Sequence, residues 1–531
     1  MTDLHQTEES INQSLKTVAH GASIIFFGMI IGKILGTINQ ILLARILGPE
    51  DFGLFNLGFS LFMVFSIIGM FGMRSGISRF VSIYYANKDQ SRLKGTVHFG
   101  LQFNLTISLF IASFLFLFAD FISNTIFHKP DLESILKSFA FALPFGVLLN
   151  TLVAITRGAK EAKYKVYTQE IGMRVIRITT FMILAYFGHH LFGALIAFII
   201  ATTSMFFYLL YITQIRITRI FHNPIAKSSV AKPILSFSWP LTLSSFVLIF
   251  MTQTDQIVLG LYQDADDIGI YQAAHGVAYL IGFILPAFGF LFFPIISELY
   301  SKKDFNGISK IYTSITKWIF MINFPLFLVI ILFPGFFILL LYGDEYSEGR
   351  IALVILAIGV IVNTSVGLVG MVLNGIGKTK LTLVSDVSGS LTNIILNFVL
   401  IPSYGIIGAA IATSFSLALR NLLAIFFVRK NIEISPYNIS FFKIGGFNIT
   451  TAICIFLSWL YLTNLFPDRF HLNVYSLSFE PVITFILIIL YISICYIALI
   501  KFKWIDEQDK LILIRIKEKV PIGKNLIEKI L

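Results

Sequence analysis

The chain has 531 residues; 56% are aliphatic, aromatic or cysteine and only 13% are charged. Soluble domains carry about 25% charged residues, and the mean hydropathy is +0.83, which excludes a soluble enzyme, a disordered chain and a small disulfide-stapled domain. The apolar runs are continuous, not alternating as in a transmembrane β-barrel, so an all-α integral membrane protein remains.

The first twenty residues are polar and lack an apolar core, so no cleavable signal peptide is expected. A membrane-crossing helix needs about 20 mostly apolar residues. Fourteen stretches qualify: 21–45, 51–75, 96–120, 135–157, 171–189, 190–213, 233–260, 270–295, 311–333, 350–373, 381–401, 405–428, 443–464 and 479–501. Spans 5 and 6 are separated only by Gly188, His189 and His190. Pro144, Pro240, Pro286 and Pro325 fall inside spans, where packing against neighbours tolerates a kink.

Of the 40 Lys and Arg residues, 33 fall on the side of the N-terminus. Five (Arg45, Lys129, Lys137, Arg350, Arg469) fall on the other side, and Lys33 and Arg420 lie within spans. Basic loops mark the cytoplasm, which places both termini there. The formal charge of +11 is then a feature of topology, and no nucleic-acid partner is expected.

The sequence repeats itself. Gln40, Ile41, Leu43, Asp51 and Gly53 recur 216 positions later as Gln256, Ile257, Leu259, Asp267 and Gly269. Gly193-Ala194 with Ile196-Ala197 recurs 215 positions later as Gly408-Ala409 with Ile411-Ala412. Each copy holds six spans, an even number, so both insert with the same orientation. The expected architecture has about 14 transmembrane helices: two six-helix lobes in a parallel pseudo-twofold repeat plus two extra C-terminal helices. The boundaries read as an N-terminal segment (1–20), an N-lobe (21–216), a linker (217–232), a C-lobe (233–430), spans 13 and 14 (431–501) and a cytoplasmic tail (502–531). The tail reads as an amphipathic helix able to lie on the bilayer.

Ionisable and polar groups at bilayer depth are costly, which makes each a candidate for function. Lys33, Thr37 and Gln40 share one face of span 1 by their i, i+4, i+7 spacing. Gln253, Asp255 and Gln256 occupy the matching part of span 7. The alternative for Lys33 is structural, a pairing with an acid such as Asp255. Glu170, Arg174 and Arg177 share a face at the start of span 5, where the arginines contact substrate or snorkel to the interface. Asp386, Ser390, Asn393 and Asn397 form a stripe on span 11, and Arg420 lies about eight residues inside span 12. Arg74 and Arg79 read as anchors, His275 as a structural histidine, and Asp264, Asp266 and Asp267 as a solvated turn. Cys454 and Cys495 have no metal-ligand spacing. There is no phosphate-binding loop, no HExxH and no nucleophile elbow, so an ATP-driven mechanism is not expected.

Leu43-Ala44-Arg45, Gly48-Pro49, Phe52-Gly53 and Phe55 follow a polar first span. This run resembles the opening of the polysaccharide-exporter family of lipid-linked oligosaccharide flippases. The twelve-plus-two span count and twofold repeat look like the same family, within the superfamily that also holds multidrug and toxin extrusion carriers and lipid II flippases. The resemblance implies a flip of a polyisoprenyl-pyrophosphate-linked sugar chain from the cytoplasmic to the outer leaflet of the cell membrane, by rocking of two lobes. It implies a lipid-linked sugar and membrane lipids as partners, with glycan-synthesis partners left open. No cofactor is implied, and Asp255 could bind Na⁺ or H⁺. Drug carriers often place an acid in the first span. Lys33 stands in this one, which favours an anionic substrate. The alternatives are a cation-coupled antiporter of the same fold, a membrane enzyme and a non-transporting scaffold. The short outer loops argue against the enzyme.

Overall fold

The computed structural model describes residues 2–218, 230–465, 479–501 and residue 509. Every regular element among the described residues is helical. In chain order they are α1 (Thr2–Met70), α2 (Met73–Ala86), α3 (Gln90–Leu117), α4 (Leu132–Gly158), α5 (Lys163–Lys165), α6 (Met173–Tyr186), α7 (Leu191–Arg216), α8 (Ala231–Tyr262), α9 (Ala265–Ala278), α10 (Leu285–Ser301), α11 (Phe305–Leu332), α12 (Pro334–Leu341), α13 (Arg350–Ser365), α14 (Val369–Gly375), α15 (Thr379–Ile432), α16 (Ile439–Leu465) and α17 (Phe479–Lys501). π-Helical turns span Phe121–Ile126 and Val166–Gly172.

Eight helical stretches among the described residues are long and apolar enough to cross a membrane. Two of these, Phe27–Met70 with 44 residues and Thr379–Ile432 with 54, are too long for one crossing. At 1.5 Å per residue, 44 residues extend about 66 Å, roughly twice the ~30 Å hydrocarbon core. Each is broken by a glycine with a backbone no helix allows: Gly48 (φ 75°, ψ 172°) and Gly405 (φ 51°, ψ −130°). Pro49 follows Gly48 at once and restarts the helix, a position where its missing N–H costs nothing. These breaks fall at the ends of spans 1 and 11 read from the sequence, so each long helix is two spans. Large side chains such as Phe110 (75% exposed) and Leu117 (76% exposed) would be untenable in water and suit a lipid-facing surface. The protein is thus an all-α, multi-pass membrane protein.

The chain forms two compact units, residues 1–272 with 390–409, and residues 273–389 with 410–531. This division does not follow the repeat boundary: α8, the first helix of the second repeat, joins the first unit. Within that unit the repeats meet through a reciprocal contact. A β-carbon on Gly53 would overlap the carbonyl oxygen of Ala265, and one on Gly269 would overlap that of Pro49. Gly269 lies 216 positions after Gly53, and Ala265 lies 216 after Pro49, so each repeat places the same glycine on the same position of the other, as in a twofold interface. Lys129 braces this region: its Nζ donates to the carbonyls of Gly260 (2.9 Å) and Gln263 (2.7 Å) at the end of α8. Burial lowers the Lys129 pKa, and Asp264 and Asp267 oppose the shift.

The first unit packs around Met73, Ile77, Val97, Leu149, Leu152 and Ile234, and Phe59, Phe62 and Phe139 meet Phe198 edge to face, with Phe55 tilted against Phe139. The second packs around Phe292, Tyr312, Ile319, Val372 and Val428. On α11 of the second unit, Lys317 is 1% exposed and bonds to Asp509, which is fully buried. The rest of the tail, expected as an amphipathic helix, lies outside the described residues.

Two outcomes follow for stability. Gly53→Val and Gly269→Val should each destabilise the protein by about 1–3 kcal/mol of overpacking, read as a lower unfolding temperature in detergent. The double variant should fall well short of the sum, because one shared contact is lost twice; full additivity would mean two independent contacts. Asp509→Asn strips Lys317 of its buried counter-ion and should cost about 3–5 kcal/mol. Adding Lys317→Met should restore most of that loss in the same thermal assay.

Candidate functional site

Three glycines on α1, Gly28, Gly32 and Gly36, stand four residues apart and form one small-residue stripe. Opposite them stand Val166, Glu170 and Arg174, also four apart. A β-carbon on Gly28 would overlap the Val166 side chain. One on Gly32 would lie 2.8 Å from Glu170 Cβ and 2.9 Å from an Arg174 guanidinium nitrogen, and one on Gly36 would lie 3.3 Å from that nitrogen. Stripes of small residues let membrane helices approach closely. Here the close approach is to a charged pair.

Arg174 donates to Glu170 across 3.0 Å, and Lys165 Nζ lies 3.7 Å from the other Glu170 oxygen. The second terminal nitrogen of Arg174 is buried without an acceptor. Lys33 is exposed, and the charges acting on it are Arg174 and Glu170. Arg177, one turn further along α6, lies over two aromatic rings. Its guanidinium carbon is 5.5 Å from the Phe55 centroid and 5.4 Å from that of Phe198, a cation–π arrangement, and its Nε is buried without an acceptor. Among the described residues, Lys33, Lys165 and Arg174 thus group around one acid, Glu170, with Arg177 one turn beyond. The preceding stretch, Val166–Gly172, is π-helical, a distortion often found at functional sites. Thr37 is half-buried on the Lys33 face, and the acceptor oxygens of Asn39 and Gln40 are buried without donors.

A second polar node lies in the same unit. Asp255 is 8% exposed. It accepts from Tyr271 Oη at 2.7 Å, Asn397 Nδ2 at 2.6 Å and Asn393 Nδ2 at 3.2 Å. Asn397 also donates to Asn393 Oδ1 at 3.1 Å, and its own Oδ1 is buried without a donor. Beside it, Ser60 donates to Gln256, and Gln256 to Gln272. Gln253 is half-buried on the same helix. The alternative pairing of Lys33 with Asp255 is not formed among the described residues. Lys33 sits by Glu170, and Asp255 is held by a tyrosine and two amides.

In the second unit Arg420 Nε is 3.1 Å from Asp386 Oδ1. Arg420 is therefore charge-paired with a residue of the same broken helix, α15. His275 stacks on Tyr279, with centroids 4.0 Å apart, and Arg79 lies 4.4 Å over the Phe237 ring. Lys165, Tyr271 and Asn39 were not singled out as site residues by sequence reasoning. The Gly28–Gly32–Gly36 spacing was the available signal for the helix that carries Lys165 and Glu170.

Residues 18–300 match the family described as Polysaccharide biosynthesis protein, and residues 240–399 match the MatE family. An uncharacterized membrane protein of Methanocaldococcus jannaschii is 23% identical over 74% of this chain and 80% of its own. The lipopolysaccharide biosynthesis protein WzxC of Escherichia coli is 24% identical over 73% and 74%. Among solved structures, the lipid II flippase MurJ in its inward closed conformation superposes with a TM-score of 0.69 at 19% identity, over 90% of this chain and all of that one. That likeness establishes the fold shared by these transporters. The matched segment covers more than half of the sequence and contains α1 from residue 18 onward, both glycine crossings and the cationic cluster, and the chain belongs to the polysaccharide biosynthesis protein family.

Proposed function

We propose that this protein is a flippase. It moves an oligosaccharide linked to a polyisoprenyl pyrophosphate from the cytoplasmic to the outer leaflet of the cell membrane, by alternating access, with both termini in the cytoplasm. The observation that carries this reading is the excess of positive charge around Glu170. A pyrophosphate crossing a low-dielectric interior needs compensating cations. Arg174 has a free donor, and guanidinium forks match phosphate oxygens in pairs. Lys33 is exposed and adds a point charge. Thr37, Gln40, Gln253 and Gln256 offer hydrogen bonds to sugar hydroxyls. No bond is made or broken, so the work is binding and release, not catalysis. The names of the relatives, one in lipopolysaccharide biosynthesis and one a lipid II flippase, support the same substrate class.

The Asp255 node supports an ion-coupled step. A buried carboxylate can accept a proton or a small cation, and the amide and phenol groups that now donate to Asp255 favour its ionised form, ready to receive either. Asp255 is proposed to bind Na⁺ or H⁺ as the coupling ion. The antiporter alternative rests on this acid, but the cationic cluster disfavours a cationic cargo.

Two measurements test these assignments. In proteoliposomes, Lys33→Ala and Arg174→Gln should each slow translocation of a labelled polyisoprenyl-pyrophosphate sugar about 10- to 100-fold, the loss expected for a charge-assisted hydrogen bond of ~1.5–3 kcal/mol. Transport of a cationic dye, insensitive to Lys33, would overturn the flippase reading. Asp255→Asn should remove the dependence of translocation on a Na⁺ or proton gradient while leaving pyrophosphate binding within about twofold. Coupling that survives in Asp255→Asn would move the ion site elsewhere.

A further inference from the structure

Glu170 has no evident use in a site built to receive an anion. It subtracts one charge from the cluster and occupies the best donor on Arg174, at 3.0 Å. A carboxylate there is also costly to bury, at 16% side-chain exposure. Yet the fold goes to some length to keep it. The glycine stripe of α1 clears space for it, since a β-carbon on Gly32 would lie 2.9 Å from a Glu170 carboxylate oxygen. Lys165 approaches its other oxygen from the preceding turn.

Resting on the flippase reading above, we propose that Glu170 is an internal competitor for the pyrophosphate. In the substrate-free site its carboxylate holds the place of a phosphate on Arg174 and Lys165. An arriving pyrophosphate takes over those donors, starting from the Arg174 nitrogen that has no acceptor, and Glu170 reclaims them when the cargo leaves. The exchange keeps the cations paired in both states. It also weakens the loaded state, because the bonds from Arg174 and Lys165 that pass to phosphate are taken from Glu170, whose displaced carboxylate is left without them. A transporter gains from this: cargo bound too tightly is not released. A monophosphate makes fewer contacts and displaces Glu170 less readily, so the competition also selects for pyrophosphate.

The test uses the full-length protein in detergent, with inorganic pyrophosphate and a short-chain polyprenyl pyrophosphate as probes. Ligand-dependent thermal stabilisation is read for wild type, Glu170→Gln, Glu170→Asp and Arg174→Gln. This readout is a shift on each variant's own baseline, so it tolerates a less stable variant. Glu170→Gln should bind both probes about tenfold more tightly than wild type, while Glu170→Asp, which keeps the charge, stays close to wild type and Arg174→Gln binds neither. In proteoliposomes Glu170→Gln should show a lower half-saturating concentration of lipid substrate together with a lower maximal rate. Equal or weaker pyrophosphate binding by Glu170→Gln, with wild type and Arg174→Gln behaving as stated, would overturn the competitor role and leave the flippase reading standing. Binding by none of the four proteins would bring down both.

Discussion

The rest of the structure depends on one constraint: a charge inside a membrane protein needs a partner. The chain meets it in several ways. Glu170 and Arg174 pair against a stripe of glycines. Lys317 pairs with Asp509 in complete burial. Arg420 pairs with Asp386 on the broken helix α15. Asp255 is surrounded by neutral donors from Tyr271, Asn393 and Asn397, and Arg177 rests on the faces of Phe55 and Phe198. These solutions differ in how the cations are grouped. Around Glu170, Arg174 and Lys165 approach one carboxylate, with Lys33 and Arg177 nearby, and this grouping of cations is what the proposal of an anionic cargo rests on.

Helix packing and electrostatics are linked through glycine. Gly28, Gly32 and Gly36 allow α1 to approach a helix whose facing residues are bulky and charged. Without that approach Glu170 and Arg174 would face lipid or a wider gap, and their desolvation would go uncompensated. Gly53 and Gly269 do the same for the crossing between the repeats, where backbone meets backbone. Gly48 and Gly405 act differently: their backbone angles end one span and allow the next to start within a few residues. Short connections of this kind hold paired spans at a fixed spacing, which fixes which polar faces can meet.

The fold class was legible in the sequence because hydropathy and span length are local properties. The breaks at Gly48 and Gly405 fall between spans 1 and 2 and at the junction of spans 11 and 12, and a glycine with a proline close by, Pro49 or Pro402, signals such a break. The repeat was legible too, from Gln40, Asp51 and Gly53 and their partners, and the reciprocal glycine crossing is its physical consequence. The compact units were less so. α8 begins the second repeat but joins the first unit, because packing at Gly53 and Gly269 outweighs ancestry in sequence.

Among the candidate residues, the sequence by itself determined which side chains stand at membrane depth: Lys33, Arg174, Arg177, Asp255, Asp386 and Arg420 are charged residues in or beside apolar runs, and no tertiary contact is needed to see that. What only the tertiary structure decided is who neutralises whom. Spacing along one helix shows that Glu170 and Arg174 share a face, but it cannot show that Lys33 joins them, that Asp255 is held by amides from a helix about 140 residues away, or that Arg420 is already paired. Electrostatic energy depends on distance in space and on burial, and both are set by how the helices pack.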